Sequence, residues 1–147
     1  MSKKRKYPNI EKMQPHSCLA AKAILSMRSL TNIYKKHLKK HDITQSQLGI
    51  MIMLGHCQKI PQADLGRMLL LERSTVSRDL KRLIENGYLK RQGAVNKLNI
   101  EITEKGMGHL EAILPDWEKA RSESEIVLGE DGMQALDLVL AKLSKQA

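Results

Sequence analysis

The chain of 147 residues carries 25 Lys and Arg against 16 Asp and Glu, which gives a net charge of +9. This length suits one small domain, alone or joined to an oligomerisation element. No apolar run reaches the ~18–20 residues that span a bilayer, and no apolar core follows the basic start Lys3-Lys4-Arg5-Lys6, so we expect neither a membrane protein nor a secretory signal.

The composition predicts a mainly helical protein of the cytoplasm. Two cysteines indicate a reducing compartment and no disulfide framework. Phe is absent and aromatic residues make up 3% of the chain, so the core must be built from Leu, Ile, Met and Ala. Such a core is typical of helix packing and argues against an all-β fold.

Charge is distributed unevenly along the chain. Residues 1–100 hold 20 Lys and Arg against 6 Asp and Glu, whereas residues 101–147 hold 5 against 10. A basic front and an acidic C-terminal part predict a polyanionic partner that is bound by one end of the protein. Phosphate contacts from Lys and Arg would make that binding strongly dependent on salt.

The first third of the chain predicts an arm and two helices. Residues 1–15 are basic and contain two prolines, which indicates a flexible arm that is either a solvated tail or a DNA contact. A long helix is expected from Cys18 to about His41, with apolar residues on more than one stripe. Thr44-Gln45-Ser46-Gln47 fits a capping box. The apolar helix over residues 48–57 that follows should be the central buried one.

The middle of the chain predicts two helices joined by a tight turn. A short helix is expected over residues 61–68 and a second over residues 72–87, which Gly87 ends in a left-handed conformation. One face of the second helix is apolar and consists of Val76, Leu80, Leu83 and Ile84. The opposite face has small hydroxyls near its start and cations further along: Ser74, Thr75, Ser77, Arg78, Lys81 and Arg82. This pattern suits a helix whose first turns enter the major groove of DNA.

A hairpin wing is expected after the second helix. Two strand-like runs, residues 89–91 and 98–102, flank Gly93-Ala94-Val95-Asn96. Lys97 lies in this hairpin, and Arg73 and Arg91 are further candidates for DNA contact. The alternative is an ordinary amphipathic surface helix followed by a hairpin. The order of these features favours a winged helix-turn-helix that binds double-stranded DNA.

Two more helices are expected at the C-terminus, one over residues 104–128 that ends at Gly129 and one over residues 130–145. Together with the first long helix they are more apolar than a small winged helix could cover, and large apolar patches are rare on monomers. We therefore expect a homodimer. The predicted organisation is a basic arm over residues 1–15, a DNA-binding lobe over residues 44–103, and dimerisation helices over residues 16–43 and 104–147.

Six short segments of residues 17–145 form a pattern through their order and spacing. They are Cys18-Leu19-Ala20 with Arg28, Ile43 to Gln47, Ser74 to Arg78, Asn86 to Arg91, Ile102 to Gly106, and Leu114 to Trp117 with Leu128-Gly129. In their order and spacing they resemble the MarR family of bacterial transcription regulators. The resemblance implies a triangular homodimer, with six helices and a small β-wing per subunit, bound to a palindromic operator. It also implies that the exposed hydroxyls and cations of residues 74–82 belong to the recognition helix.

One departure from the family concerns the wing. Family wings carry Asp-x-Arg between the Arg after the recognition helix and the Leu-Thr that opens the next helix. Here the stretch from Arg91 to Thr103 is shorter and lacks that pair. The missing arginine normally enters the minor groove. Lys97 is the cation left at the tip, so we expect weaker minor-groove contact.

The resemblance also implies release of DNA by a small-molecule effector, because small aromatic ligands bind such proteins between the dimer helices and the DNA-binding lobe. Cys18, near the start of the first helix, is a redox candidate, although a buried, inert cysteine is the more frequent case. We expect no metal and no cofactor, since the possible pairs lack a carboxylate cluster or a regular ligand spacing. Those pairs are His16 with Cys18, His56 with Cys57, and His37 with His41.

No Gly-x-Ser-x-Gly elbow and no Gly-rich phosphate loop occurs in the sequence, so we do not expect an enzyme. We predict a cytoplasmic, homodimeric, DNA-binding transcriptional regulator, a repressor released by a small molecule. Three alternatives stay open: a regulator that senses redox state through Cys18, a chromosome-coating protein indifferent to DNA sequence, and a protein-interaction module that kept the winged helix.

Overall fold

The computed structural model describes residues 7–14, 17–95 and 97–146. In this part of the chain the helices are α1 (Pro8–Lys12), α2 (Leu19–Leu38), α3 (Gln45–Cys57), α4 (Gln62–Leu69), α5 (Arg73–Glu85) and α6 (Glu104–Leu143). The strands are β1 (Lys59–Pro61), β2 (Leu89–Gln92) and β3 (Asn99–Ile102), and 3₁₀ turns follow α2 (Lys39–His41) and α6 (Ser144–Gln146). This confirms the prediction of a mainly helical fold with a small β-wing. None of the described helices is long and apolar enough to cross a membrane.

The chain divides into two compact units between Asn32 and Ile33. In the first unit, residues 8–12 of the predicted flexible arm form α1 instead. Pro8 occupies the first turn of this helix, where its fixed φ is already helical and no N–H is needed. Lys3-Lys4-Arg5-Lys6 and Pro15, which also belong to the predicted arm, lie outside the described residues.

In the second unit, α3 is the central helix. Thr44 and Gln47 form the predicted capping box, in which Gln47 N–H donates to Thr44 Oγ1 and Thr44 N–H donates to Gln47 Oε1, both at 3.2 Å. Four side chains of α3 have no exposed surface: Leu48, Ile50, Met51 and Leu54. The other elements of this unit add the rest of the core, including Leu65, Leu80, Leu83, Leu89, Ile100 and Ile113. The prediction of a buried central helix is confirmed.

A three-stranded antiparallel sheet has the order β1-β3-β2. In its register Leu89 pairs with Ile102 and Lys59 pairs with Glu101. The pairing of β2 with β3 confirms the predicted wing. Strand β1 was not predicted, because three residues are too few to show an alternating pattern. Its Pro61 is compatible with an edge strand, which needs no ladder donor on its outer side.

Helix α6 consists of two helical segments that meet at a kink. Gly129 has φ 67° and ψ 174°, a conformation that is rare for residues with a Cβ. The predicted helix end at Gly129 is therefore confirmed. Before the kink, α6 buries Leu110, Ile113, Asp116, Ala120 and Ser124. After it, four apolar side chains at helical spacing remain 45–62 % exposed: Leu136, Val139, Leu140 and Leu143.

Candidate nucleic-acid interface

Helix α5 has one face in the core and one in solvent. Val76, Leu80 and Leu83 are between 0 and 6 % exposed, as their spacing predicts. The opposite face, which we call the reading face, consists of Ser74, Ser77, Arg78, Lys81 and Arg82, all exposed, and Thr75, which is half-buried. These side chains are displayed by a helix whose position is set by the core beneath it.

A buried acidic residue, Asp79, also anchors α5 and was not singled out from the sequence. Ser46 Oγ donates to its Oδ2 at 2.6 Å, and Gln47 Nε2 donates to its Oδ1 at 3.3 Å. A signal for its burial was present in the sequence. Asp79 follows Val76 by three residues and precedes Leu83 by four, which places it on the apolar face.

The cations of α5 differ in their partners. Arg82 Nη2 donates to Asp42 Oδ2 at 2.9 Å, and Lys81 Nζ lies 4.0 Å from Glu85 Oε1. Arg73 and Arg78 make no ion pair with any residue that the structure describes. A DNA contact by Arg82 would replace an existing ion pair, whereas one by Arg78 would not.

A groove of about 910 Å³ lies between α4, the first residues of α5 and the wing. Among its lining residues are three cations, Arg67, Arg73 and Lys97, together with Ser77. The structure therefore brings three of the predicted contact residues, Arg73, Ser77 and Lys97, to one cavity. Arg67 is tied to its own helix, because its Nη2 lies 2.6 Å from Asp64 Oδ1.

The wing is short, and its connection spans residues 93–98. Lys97 is exposed, and Val95 is 89 % exposed; Asn96 lies outside the described residues. Arg91 is exposed on β2, where its Nε donates to Gln62 Oε1 at 3.2 Å. Arg91 thus contacts the start of α4, whereas Lys97 lies in the connection at the tip.

A cluster of charges joins the 3₁₀ turn after α2 to the first segment of α6. Asp116 Oδ2 lies 2.7 Å from Lys40 Nζ and 2.8 Å from His41 Nε2, and Lys119 Nζ donates to Oδ1 at 3.0 Å. Hydrogen bonds from Lys40, His41 and Lys119 hold the pKa of Asp116 well below its ordinary value. His41 lies next to Asp42, the partner of Arg82, so the cluster adjoins the anchor of α5.

A second contact ties α6 to the lobe. The ring of His109 stacks on Tyr88 with centroids 4.3 Å apart and planes 5° from parallel. Burial lowers the pKa of His109, and the charges of His41 and Lys105 lower it further. Among the described residues, no group of three or more His, Cys, Asp or Glu side chains is placed to hold a metal ion; His16 is not among them.

Cys18, the redox candidate, is exposed rather than buried, and Cys57 is exposed as well. Both are free thiols. Exposure leaves Cys18 accessible to oxidants, and its redox role stays a prediction.

Comparison with known proteins shows which family the chain resembles. Residues 41–96 match the model of the MarR family. The regulator MhqR of Bacillus subtilis is 25% identical over 123 residues, which cover 82% of this chain and 85% of that protein. Residues 41–96 thus resemble the MarR family, and the relative that matches most of the chain is a transcriptional regulator.

Solved structures show the same fold as this chain. BpsR of Bordetella bronchiseptica is 16% identical, covers 90% of this chain and 98% of its own, and superposes with a TM-score of 0.81. A MarR variant of Escherichia coli in complex with operator DNA is 19% identical, covers 85% of this chain and 94% of its own, and gives a TM-score of 0.72. The chain therefore has the winged helix-turn-helix fold of these MarR-type regulators.

Proposed function

We propose that this regulator is a homodimeric repressor that binds a palindromic operator and releases it when a small molecule binds. The observation that carries the proposal is the reading face of α5, where exposed hydroxyls and cations lie opposite a face fixed in the core. The proposed DNA contacts are Arg73, Ser74, Thr75, Ser77, Arg78, Lys81, Arg82, Arg91 and Lys97.

These residues divide by the part of DNA that they would contact. Arg78, exposed on α5, is the best candidate to read a guanine, because an arginine can donate to its O6 and N7 together. Hydroxyls such as that of Ser77 suit base edges or phosphates. Arg73 and Lys97 line the groove between α5 and the wing, where they would contact the backbone between a major and a minor groove. Such phosphate contacts add affinity without adding sequence preference.

The proposed dimer rests on the second segment of α6. Its exposed apolar stripe, Leu136, Val139, Leu140 and Leu143, leaves an apolar surface uncovered in one chain. A second copy with the same stripe would cover it through a two-fold interface, which buries the same patch on both subunits. Two reading faces related by two-fold symmetry would match a palindromic operator.

The proposed effector is a small aromatic acid or a related compound. Support comes from BpsR, whose DNA binding is regulated by 6-hydroxynicotinic acid. We extend to this chain the chemical class of that signal, a small aromatic acid, and propose that it lowers the affinity for DNA. A ligand with higher affinity for the DNA-free conformation would shift the population of the protein away from the operator.

The proposal is tested by fluorescence anisotropy with two duplexes, one from upstream of the gene that encodes the protein and one with the same bases scrambled, at two salt concentrations. We expect a preference of ~10³-fold or more for the upstream duplex. Equal and steeply salt-dependent binding to both duplexes would instead support a chromosome-coating protein. If the protein binds neither duplex, the result would support a protein-interaction module.

Two further experiments test whether the protein represses or activates transcription and which effector releases it from DNA. A reporter gene behind the upstream sequence should be expressed less when the protein is present, whereas higher expression would identify an activator. Aromatic carboxylic acids are then titrated into the complex, and loss of anisotropy identifies an effector. Release by peroxide in the wild type, but not in Cys18→Ser, would replace the effector with a redox signal.

A further inference from the structure

The middle of the basic helix α5 carries a buried acidic residue, Asp79, which is 3 % exposed. Each oxygen of its carboxylate accepts a hydrogen bond, Oδ2 from Ser46 Oγ at 2.6 Å and Oδ1 from Gln47 Nε2 at 3.3 Å. Both donors lie in the first turn of α3, the central helix of the core. One turn of a neighbouring helix thus holds both oxygens of Asp79.

The amide of Gln47 has a fixed orientation. Its Oε1 accepts from Thr44 N–H within the capping box, so Nε2 is left to face Asp79. The start of α3 therefore presents two donors, the Ser46 hydroxyl and the Gln47 amide. A carboxylate offers one acceptor oxygen to each of them. An apolar side chain in place of Asp79 would leave the buried Gln47 amide short of a partner.

A second contact joins the same stretch of chain to α5 one turn later. Arg82 Nη2 donates to Asp42 Oδ2 at 2.9 Å, and both side chains are at least half exposed. Residues 42–47 therefore contact α5 at two points, Asp79 and Arg82. The contact at Asp79 is buried and shielded from salt, whereas the contact at Arg82 is screened by it.

We propose that Asp79 is a positioning residue for DNA reading, which fixes the rotation of α5 about its axis by its bonds to Ser46 and Gln47. The inference rests on the proposed function, because it supposes that the reading face contacts base edges. Asp79 is buried and touches no DNA itself. A small rotation of α5 would displace Arg78 from the hydrogen-bond geometry that base reading needs. Contacts to phosphates, which carry no sequence information, would tolerate it.

The test compares the specificity ratio of variants, defined as the Kd for the scrambled duplex divided by the Kd for the operator duplex. Asp79→Ala should lower this ratio by about tenfold, with the Kd for the scrambled duplex little changed. Asp79→Asn should restore most of the ratio. Its amide oxygen can accept from Gln47, and its NH₂ can donate to the Ser46 hydroxyl, which accepts as readily as it donates.

Two further variants separate positioning from a general loss of stability. Ser46→Ala removes one donor from a half-buried site and should lower the ratio in the same direction, less than Asp79→Ala. Ser124→Ala is the matched control, since Ser124 is buried on α6, away from α5, and its Oγ donates to Ala120 O at 2.8 Å. Its ratio should equal that of the wild type. A folded Asp79→Ala with an unchanged ratio would overturn the proposal, as would equal weakening on both duplexes in Ser46→Ala.

Hydrogen–deuterium exchange decides the same question without DNA. In Asp79→Ala or, if that variant does not fold, in Ser46→Ala, amides of α5 should exchange faster while those of α6 around Ile113 keep their protection. Unchanged exchange in α5 would overturn the positioning role. A wild type that binds both duplexes equally would instead defeat the proposed function, and exchange would still show whether Asp79 fixes α5.

Discussion

The DNA-binding lobe buries its apolar side chains within one chain, whereas the second segment of α6 leaves several of them exposed. In the lobe, side chains such as Leu65 and Ile100 are fully covered by other elements of the same chain. Beyond Gly129, Leu140 and Leu143 are 59 % and 62 % exposed. One chain is therefore enough to form the reading face, whereas the apolar stripe at the end of α6 is not covered by the rest of the same chain. If a second copy provides it, separating the copies should leave each lobe folded.

The largest effect is expected from Leu140→Glu, which places a charge on the apolar stripe of α6. A buried charge without a partner is costly, so the proposed dimer should dissociate. A monomer engages a single half-site, and we expect operator affinity to fall on the order of 10²-fold or more. Sedimentation velocity should show a species of 16.7 kDa, and circular dichroism should show a folded lobe.

Leu138→Glu is the matched control for this prediction. Leu138 is 58 % exposed, almost the same as Leu140 at 59 %, but two residues along a helix point about 200° apart. The control should remain a dimer with unchanged operator affinity. If Leu140→Glu also remains a dimer at micromolar concentration, the stripe is not the interface.

The next largest effect is expected inside the lobe, from Arg78→Ala. If Arg78 reads a guanine, its loss should cost about 1–3 kcal/mol of operator binding, on the order of ten- to hundredfold in Kd. The loss of operator affinity in Arg82→Ala should be smaller, because Arg82 Nη2 already lies 2.9 Å from Asp42 Oδ2 and a DNA contact would have to replace this ion pair. Anisotropy titration of both variants on the operator and scrambled duplexes measures the difference. Equal loss on both duplexes would make Arg78 a phosphate contact.

The sequence predicted the elements of the lobe because its patterns are local. The capping box at Thr44, the apolar spacing of Val76 and Leu80, and the helix end at Gly87 each depend on residues a few positions apart. Strand β1 depends on pairing between Lys59 and Glu101, which are far apart in the sequence, and three residues give no pattern to detect.

Only the exposed residues of the candidate site could be predicted from the sequence. Periodicity separates the reading face from the apolar face, and so it indicates Arg78 and Lys81. It does not show that Asp79 is bonded to Ser46, because that contact spans 33 residues and depends on how α3 and α5 pack. The pairing of Arg82 with Asp42 was missed for the same reason.

A smaller effect is expected at the junction of α6 with the lobe, where Asp116→Asn should lower the melting temperature at neutral pH. The folded-state pKa of Asp116 is lowered by Lys40, His41 and Lys119. Its contribution to the free energy of unfolding is therefore complete above its ordinary pKa of 3.8 and is lost as the pH falls further. The melting temperatures of wild type and variant should converge as the pH falls below that value.

Glu111→Gln is the control for this pH dependence, because Glu111 is exposed on the same segment of α6. It should melt as the wild type does at every pH. A difference between Asp116→Asn and wild type that stays constant from neutral pH into the acid range would show that the ionisation of Asp116 does not stabilise the junction.

The smallest effect is expected at the edge of the lobe, from Lys97→Ala. Lys97 is exposed in a short wing and would make at most one phosphate contact, so Kd should rise only a few-fold, about equally on operator and scrambled duplexes. The slope of log Kd against log salt should fall by about one. Arg73→Ala is the comparison, because Arg73 is another cation that lines the same groove. A loss for Lys97→Ala on the operator alone would show that this wing reads sequence despite lacking the family's arginine.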